Sequence, residues 1–164
     1  MIKKITVEKN KGIDVENYKV EIVERKGLGH PDYIADSIAE AFSRNLSRYY
    51  MEKFGSVFYH NVDKLDVIAG RSRPDFKGGR IMEPITILFS GKATFSINYE
   101  DIPVEDIAKE SAKNWIKKNI RFLNPESLRF IFETKRGAGN LIDAFRRTDK
   151  IYSNDTSVGV GYAP

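Results

Sequence analysis

Pro31 restricts what this chain can fold into more than any other residue. It stands in the stretch "GLGHPDYIAD", residues 27–36, behind two glycines and a histidine and directly ahead of an apolar stripe. Proline has no backbone N–H and a fixed φ, so it suits the first turn of a helix and breaks one further in. From Tyr33 to Tyr50 the apolar residues Ile34, Ile38, Phe42, Leu46 and Tyr49 recur every three or four positions, which is one face of a helix. The pattern predicts a helix with Pro31 at its first position, His30 just outside it, Asp32 in its first turn and Gly55 ending the region.

A second helix is predicted to open at Pro103, with Val104, Ile107, Ala108, Ser111, Ala112, Trp115 and Ile116 as its stripe. The remaining apolar runs read as strands. Residues 2–8 and 18–24 alternate on either side of the turn-like "NKGIDVEN" and are expected to pair. "SVFYHNVDKLDVIAG" supplies one or two strands, "ITILFSGKATFSI" another bent at Gly91, and "SLRFIFETK" a last one. Between them "RSRPDFKGGRIMEP" carries proline, glycine and several cations, and reads as a mobile, basic loop. Strands, helix, strands, helix, strand give an α+β class: a two-layer domain of mixed or antiparallel sheet with helices on one face. From residue 136 the chain is rich in Gly, Ser, Thr and Asn, with weak periodicity, and stops within a glycine-rich apolar stretch, as a chain cut short would.

Composition excludes several classes. The 164 residues are 41% hydrophobic and 30% charged, which suits a soluble globular chain. No cysteine is present, so disulfides and thiolate zinc sites are ruled out, and a cytoplasmic setting fits. The N-terminal apolar run is too short for a signal peptide, and no window approaches a membrane span. A formal charge of +4 suits a polyanionic ligand such as a nucleotide, but the cations are dispersed and form no nucleic-acid stripe.

At the first helix entrance, the residue pattern leaves two readings open. Asp32 in a first turn is favoured by the helix dipole, which needs no function. The same geometry binds phosphate through free N–H groups, offers Mg²⁺ an oxygen ligand, and sets a histidine where it can donate to a leaving oxygen. Glu24 adds an acid at a strand end, or is a solvated charge there. The second histidine, His60, lies in a strand-like run near Asp63 and Asp66 and reads as structural. "KRGAGN", residues 135–140, has the look of a phosphate-cradling loop, but it lacks the Gly-Lys-Ser/Thr ending of a P-loop, and a plain glycine turn explains it too. Asp155 in "NDTSVGVGYA" can meet a sugar hydroxyl or an amino group, and an Asx-turn accounts for it equally.

Taken in order, "ERKGLGHPDYIADSIAEAFSR", "HNVDK…AG", "PITILFSGKAT" and "NDTSVGVGYAP" resemble the amino-terminal part of S-adenosylmethionine synthetase (methionine adenosyltransferase) in its archaeal form, over nearly the whole chain. The resemblance implies a cytoplasmic enzyme that joins ATP and L-methionine with Mg²⁺, usually with K⁺. It works as a homodimer or higher homo-oligomer whose active sites are shared between subunits, each built from three similar intertwined α+β domains. On that basis residues 1–135 form the amino-terminal α+β domain, and 136–164 an active-site loop region with the start of the next. By position, His30 is implied as the catalytic histidine, Asp32 as a Mg²⁺ ligand, Asp63 as lying near the acid that holds K⁺, and Glu24 and Asp155 as substrate contacts. Gly137, Ala138, Gly139 and Asn140 stand as the nucleotide-binding candidates. Bacterial members have a methionine-contacting Glu where this chain has Lys92, so that contact does not carry over. Family members are more than twice this length, and the missing part holds most of the cationic triphosphate ligands. The expectation is therefore an inactive fragment of an active enzyme. The alternatives are a non-catalytic truncated paralogue that pairs with full-length subunits, and a small RNA-binding α+β domain using Phe58, Tyr59, Phe130 and Phe132. Those aromatics are expected in the core instead.

Overall fold

The computed structural model describes residues 6–9 and 11–137. The chain divides into two compact units, Met1–Arg25 with Thr156–Pro164, and Lys26–Asp155. The described part of the first unit holds one 3-10 turn, Val15–Asn17, in which the Asn17 N–H donates to the Asp14 carbonyl at 2.9 Å. The strand pair predicted for 2–8 and 18–24 is not formed by their described residues. Their alternation is real, but Val20, Ile22 and Val23 are exposed, and a lone extended segment without a neighbouring ladder gains neither hydrogen bonds nor burial.

In the second unit, helix α1 runs Pro31–Phe54. Ile38, Phe42, Leu46 and Tyr50 are fully buried at successive four-residue steps, so the stripe closes on Tyr50, with Tyr49 only half-buried. Gly55 ends the helix in the left-handed region, φ 72°, and its N–H bonds the Met51 carbonyl at 3.0 Å. Helix α2, Val104–Asn119, buries Val104, Ala108, Ser111, Ala112 and Ile116, as its stripe predicts. It packs on α1, and Asn45 donates to the Ser111 hydroxyl at 2.8 Å between them.

Three chain segments build the sheet that faces these helices. The strands are β1 (His60–Asn61), β2 (Leu65–Ile68), β5 (Thr86–Phe89), β6 (Lys92–Ala93), β9 (Arg129–Phe132) and β10 (Lys135–Arg136). They form two mixed three-stranded sheets, β2-β5-β9 and β1-β6-β10, each with an antiparallel and a parallel pair. Each sheet takes one piece from the same three segments, so the second continues the first beyond a kink. Bonds from Ser90 to Lys64, Glu133 to Phe89 and Lys135 to Gly91 carry the ladder through it. Gly91 makes the kink possible: its φ is 109°, and a Cβ there would stand 2.3 Å from the Asn61 carbonyl oxygen.

The face carrying Leu65, Ile87 and Phe89 meets the helices, with Phe42 and Phe89 edge to face at 5.7 Å. Each such large apolar side chain contributes about 1.5–3 kcal/mol on burial. Phe58 and Tyr59 are buried, and Phe130 and Phe132 pack against the same core, so none of the four is a free stacking platform. The opposite face leaves Asp66, Ile68, Lys92, Arg129, Ile131 and Lys135 exposed.

The segment expected to be a mobile loop is instead a hairpin of β3 (Arg71–Asp75) and β4 (Gly78–Glu83). Its tip, Phe76–Lys77, is closed by the Asp75 carboxylate accepting from the Phe76 N–H at 2.7 Å, with Lys77 left-handed at φ 67°. Arg71 and Glu83 pair at its base. Every residue of both strands is exposed, so no buried face wrote a pattern into the sequence. A short second hairpin, β7 (Ser96–Ile97) and β8 (Glu100–Asp101), turns through Asn98 and Tyr99, both at positive φ.

Candidate active site

The entrance of α1 follows from four consecutive residues. The His30 N–H donates to the Gly27 carbonyl at 3.0 Å, turning the chain, and Pro31 takes the first helical position. His30, extended at φ −69° and ψ 132°, is the N-cap: its Nδ1 accepts from the Asp32 backbone N–H at 3.1 Å. It thus does what Ser, Thr, Asp or Asn does at most helix starts. Because Nδ1 accepts, the proton of the neutral imidazole sits on Nε2, on the far side of the ring from the helix. The ring is 44% exposed, so that N–H is accessible.

Asp32 lies one residue into the helix. Its Oδ1 is 3.9 Å from His30 Nδ1 and its Oδ2 pairs with the Lys26 ammonium. Lys26 holds the Asp32 carboxyl below its ordinary value, by its hydrogen bond first and its charge second. Asp32 is therefore ionised throughout the neutral range and open to solvent. Together the three side chains place an ionised carboxylate, a cation and an imidazole N–H donor at the positive end of a 24-residue helix. Such an arrangement can receive a phosphate-bearing ligand and donate to one of its oxygens. Beside it opens a largely apolar cleft of about 520 Å³ that shares Gly29 and Pro31 with the helix entrance and reaches Ile34, Val67, Ile85 and Leu123.

Lys26 and this cleft went unmarked in the sequence. The ammonium six residues before Asp32 meets it only because the Gly27–Gly29 turn doubles the chain back, and the cleft is assembled from segments far apart in sequence.

The other candidates lie elsewhere. His60, on β1, is held from three sides: its Nδ1–H donates to the Phe58 carbonyl at 2.8 Å, and its Nε2 accepts from Ser43 at 2.9 Å and faces Ser47 at 3.4 Å. Burial pushes its pKa down. These contacts make it a satisfied structural histidine. They also fix distances along the unit, because Ser43 and Ser47 are on α1. At roughly 1.5 Å per residue they stand about 20–25 Å along the helix from His30. Lys92 pairs in register with Asn61, next to His60, and Asp63 follows two residues later, so both belong to that distant end. The Asp63 carboxylate is on the Lys64 ammonium at 2.7 Å, which K⁺ would have to displace. Glu24 is exposed in the first unit. The Gly137 N–H is taken by the Ala93 carbonyl at 3.0 Å. Ala138, Gly139, Asn140 and Asp155 lie outside the described residues.

Among the described residues no group of three or more His, Asp or Glu side chains gathers to hold a metal. Asp32 fits Mg²⁺ in the way that ion is most often held on nucleotides, as a single carboxylate beside water and phosphate oxygens, and does not form a cage. No helix among the described residues is long and apolar enough to cross a membrane.

The sequence profile of the S-adenosylmethionine synthetase (AdoMet synthetase) family matches residues 3–164. The S-adenosylmethionine synthase of Saccharolobus solfataricus is 45% identical over 169 residues, which cover 99% of this chain and 42% of that protein. Those of Saccharolobus islandicus and Sulfurisphaera tokodaii are 44% and 43% identical with the same coverage. The chain thus spans under half the length of the curated relatives it matches.

Proposed function

The chain belongs to the S-adenosylmethionine synthetase family, and from that premise we propose that it supplies the amino-terminal portion of an archaeal-type enzyme joining ATP to L-methionine. The methionine sulfur attacks the ribose C5′, the S–C5′ bond forms as the C5′–O bond breaks, and that electron pair leaves on the triphosphate oxygen. Sulfur becomes a sulfonium, and the triphosphate is then hydrolysed to phosphate and pyrophosphate. His30 donates its Nε2–H to the departing oxygen, and the one observation that carries this role is the Nδ1 cap bond, which leaves the ring proton on the outward nitrogen. Asp32 and the first turn of α1 receive the triphosphate end. Mg²⁺ bound at Asp32 would neutralise charge on those phosphates, and K⁺ near Asp63 is carried by the resemblance alone. Gly137 to Asn140, Glu24 and Asp155 keep their assignments as nucleotide and substrate contacts on the same ground.

The separation of His30 and Asp32 from Asp63 and Lys92 supports a homo-oligomer with shared sites. Exposed Ile68 and Ile131 on the open sheet face support association as well. The described unit stands as one of three similar two-layer α+β domains, in a cytoplasmic enzyme.

Alone, the 164-residue chain is expected to turn over negligibly, because a leaving triphosphate needs more preorganised cations than the described residues gather at His30. Steady product formation by the purified chain would overturn that expectation. Within a chain of full family length, His30→Asn retains a capping acceptor and should lower kcat by about 100-fold or more. Unchanged turnover would remove His30 from the chemistry. The alternative reading is a non-catalytic partner of full-length subunits. Co-purification with such a subunit, with its activity altered, would establish that reading.

A further inference from the structure

The β3–β4 hairpin carries side chains that its own fold does not use. Its register sets Arg73 directly opposite Arg80, with Lys77 at the tip. Like charges opposite one another destabilise a strand pair. Arg71 is matched by Glu83 at the base, but Arg73 and Arg80 have no hydrogen-bonding or ionic partner among the described residues. Asp75, the acid beside the tip, has its carboxylate on the Phe76 N–H. The Phe76 ring is 90% exposed, with the Lys77 ammonium 5.9 Å from its centre. An aromatic ring stands in water among three cations, on strands that bury nothing.

The matching surface lies on the helices. A groove of about 350 Å³ runs between α1 and the start of α2. Half-buried Tyr49 and Ile107 give it an apolar floor, and the exposed acids Glu52, Asp106 and Glu110 line its rim. These carboxylates have no hydrogen-bonding or ionic partner among the described residues either. Arg48 is the one cation of the lining, so the groove is acidic on balance. The hairpin cannot reach the groove of its own chain. Its base lies at the entrance of α1, where Arg71 and Ile81 line the same cleft as Gly29 and Pro31. Asn45 to Glu52 stand about 20–30 Å further along the helix, at roughly 1.5 Å per residue. A five-residue strand spans only about 17 Å.

We propose that the β3–β4 hairpin docks into the groove between α1 and α2 of a second copy of this chain. Phe76 enters against Tyr49 and Ile107, while Arg73, Lys77 and Arg80 meet Glu52, Asp106 and Glu110. The docked anions relieve the Arg73–Arg80 repulsion, and the cations relieve that among the acids. The contact joins two different surfaces, so it is head-to-tail and leaves a free hairpin on one copy and a free groove on the other. A hairpin tip covers less area than a standard interface, so the association is weak and concentration-dependent.

The test reads where the tip goes. The chain has no cysteine, and at Gly78 beside the tip a Cβ would meet open space, so a nitroxide on Gly78→Cys marks the tip alone. Mixed with an unmodified ¹⁵N-labelled copy of the 164-residue chain, it is expected to broaden the amides of Tyr49, Glu52, Ile107 and Glu110 in that copy, and to do so less as salt rises. Phe76→Ser on the nitroxide copy should weaken the contact about tenfold with no change in charge, and Arg73→Glu with Arg80→Glu by at least about as much. Glu52→Lys with Glu110→Lys on the ¹⁵N copy should then restore the broadening that the reversed hairpin lost. All these positions are exposed, and if the groove variant does not fold the hairpin variants decide alone. Absence of broadening at millimolar concentration, or broadening that both hairpin variants leave unchanged, overturns the docking. Broadening centred on Ile68 and Ile131 puts the second copy on the open sheet face and overturns it too. None of these results bears on the His30→Asn turnover test, so the two readings fail separately.

Discussion

Lys26 and Asp32 are joined by an ion pair that spans the Gly27–Leu28–Gly29 turn, so the segment that delivers His30 to the helix entrance also secures the carboxylate beside it. The pair keeps Asp32 charged and keeps the turn closed at once. Its two side chains are about half exposed, so its contribution to stability is small and screened by salt. Its consequence is electrostatic and local.

Replacing Lys26 by Met should therefore raise the Asp32 carboxyl towards its ordinary value of 3.8. In the folded chain the lowered pKa contributes stability above the ordinary carboxylate range, and this is lost as pH falls through the folded value. Carbon-detected titration of the Asp32 carboxyl in both proteins reads this directly. An unmoved midpoint would mean that the ion pair is not formed in solution.

At the next residue, His30→Ala removes the cap acceptor from the Asp32 N–H and should destabilise the chain by about 0.5–2 kcal/mol in urea unfolding. His30→Asn should recover most of that loss, because an Asn side chain caps as well. If both variants unfold alike, the Nδ1 contact does not cap the helix.

His60 carries a pH dependence of opposite origin. Burial lowers its folded pKa below the ordinary 6.5, while the unfolded chain keeps the ordinary value. The unfolded state then binds more protons in the interval between the two. Stability is full above 6.5 and falls as pH drops from there to the folded pKa. Urea midpoints measured from neutral to mildly acidic pH should show this decline in the native chain and lose it in His60→Gln. A decline of equal size in the variant would assign the effect to other groups.

Both helices and the strands of the two three-stranded sheets were legible because burial imposes a period. Ile38, Phe42 and Leu46 recur at helical spacing since one side of α1 is in the core, and Pro31 and Gly55 mark its ends through their own backbone preferences. The β3–β4 hairpin was not legible, because its strands bury nothing and only the "PDFKGG" turn betrays it. Residues 18–24 failed in the opposite way: an alternating pattern states which face is apolar but cannot supply the strand beside it. In the site, His30 and Asp32 were legible as neighbours in sequence. Lys26 needed the turn.

The kink at Gly91 gives the sharpest structural test. An alanine there must hold a φ of 109°, which L-residues rarely adopt, at a strain of about 1–3 kcal/mol. Its Cβ would also lie 2.3 Å from the Asn61 carbonyl oxygen, which belongs to backbone and cannot simply rotate away. Relief requires β1 and β6 to separate, and that would strip His60 of its place against Ser43 and open the seat of Thr94 under Tyr50, whose hydroxyl donates to the Thr94 carbonyl at 2.7 Å. Gly91→Ala should therefore lower stability by more than the local strain, and amide exchange should accelerate at His60, Ala93 and Lys135 before it does so in α2. Uniform acceleration across the unit would show that the kink is no weaker than the rest of the fold. Wild-type exchange and stability in the variant would mean that the sheet runs through residue 91 without the close approach to Asn61.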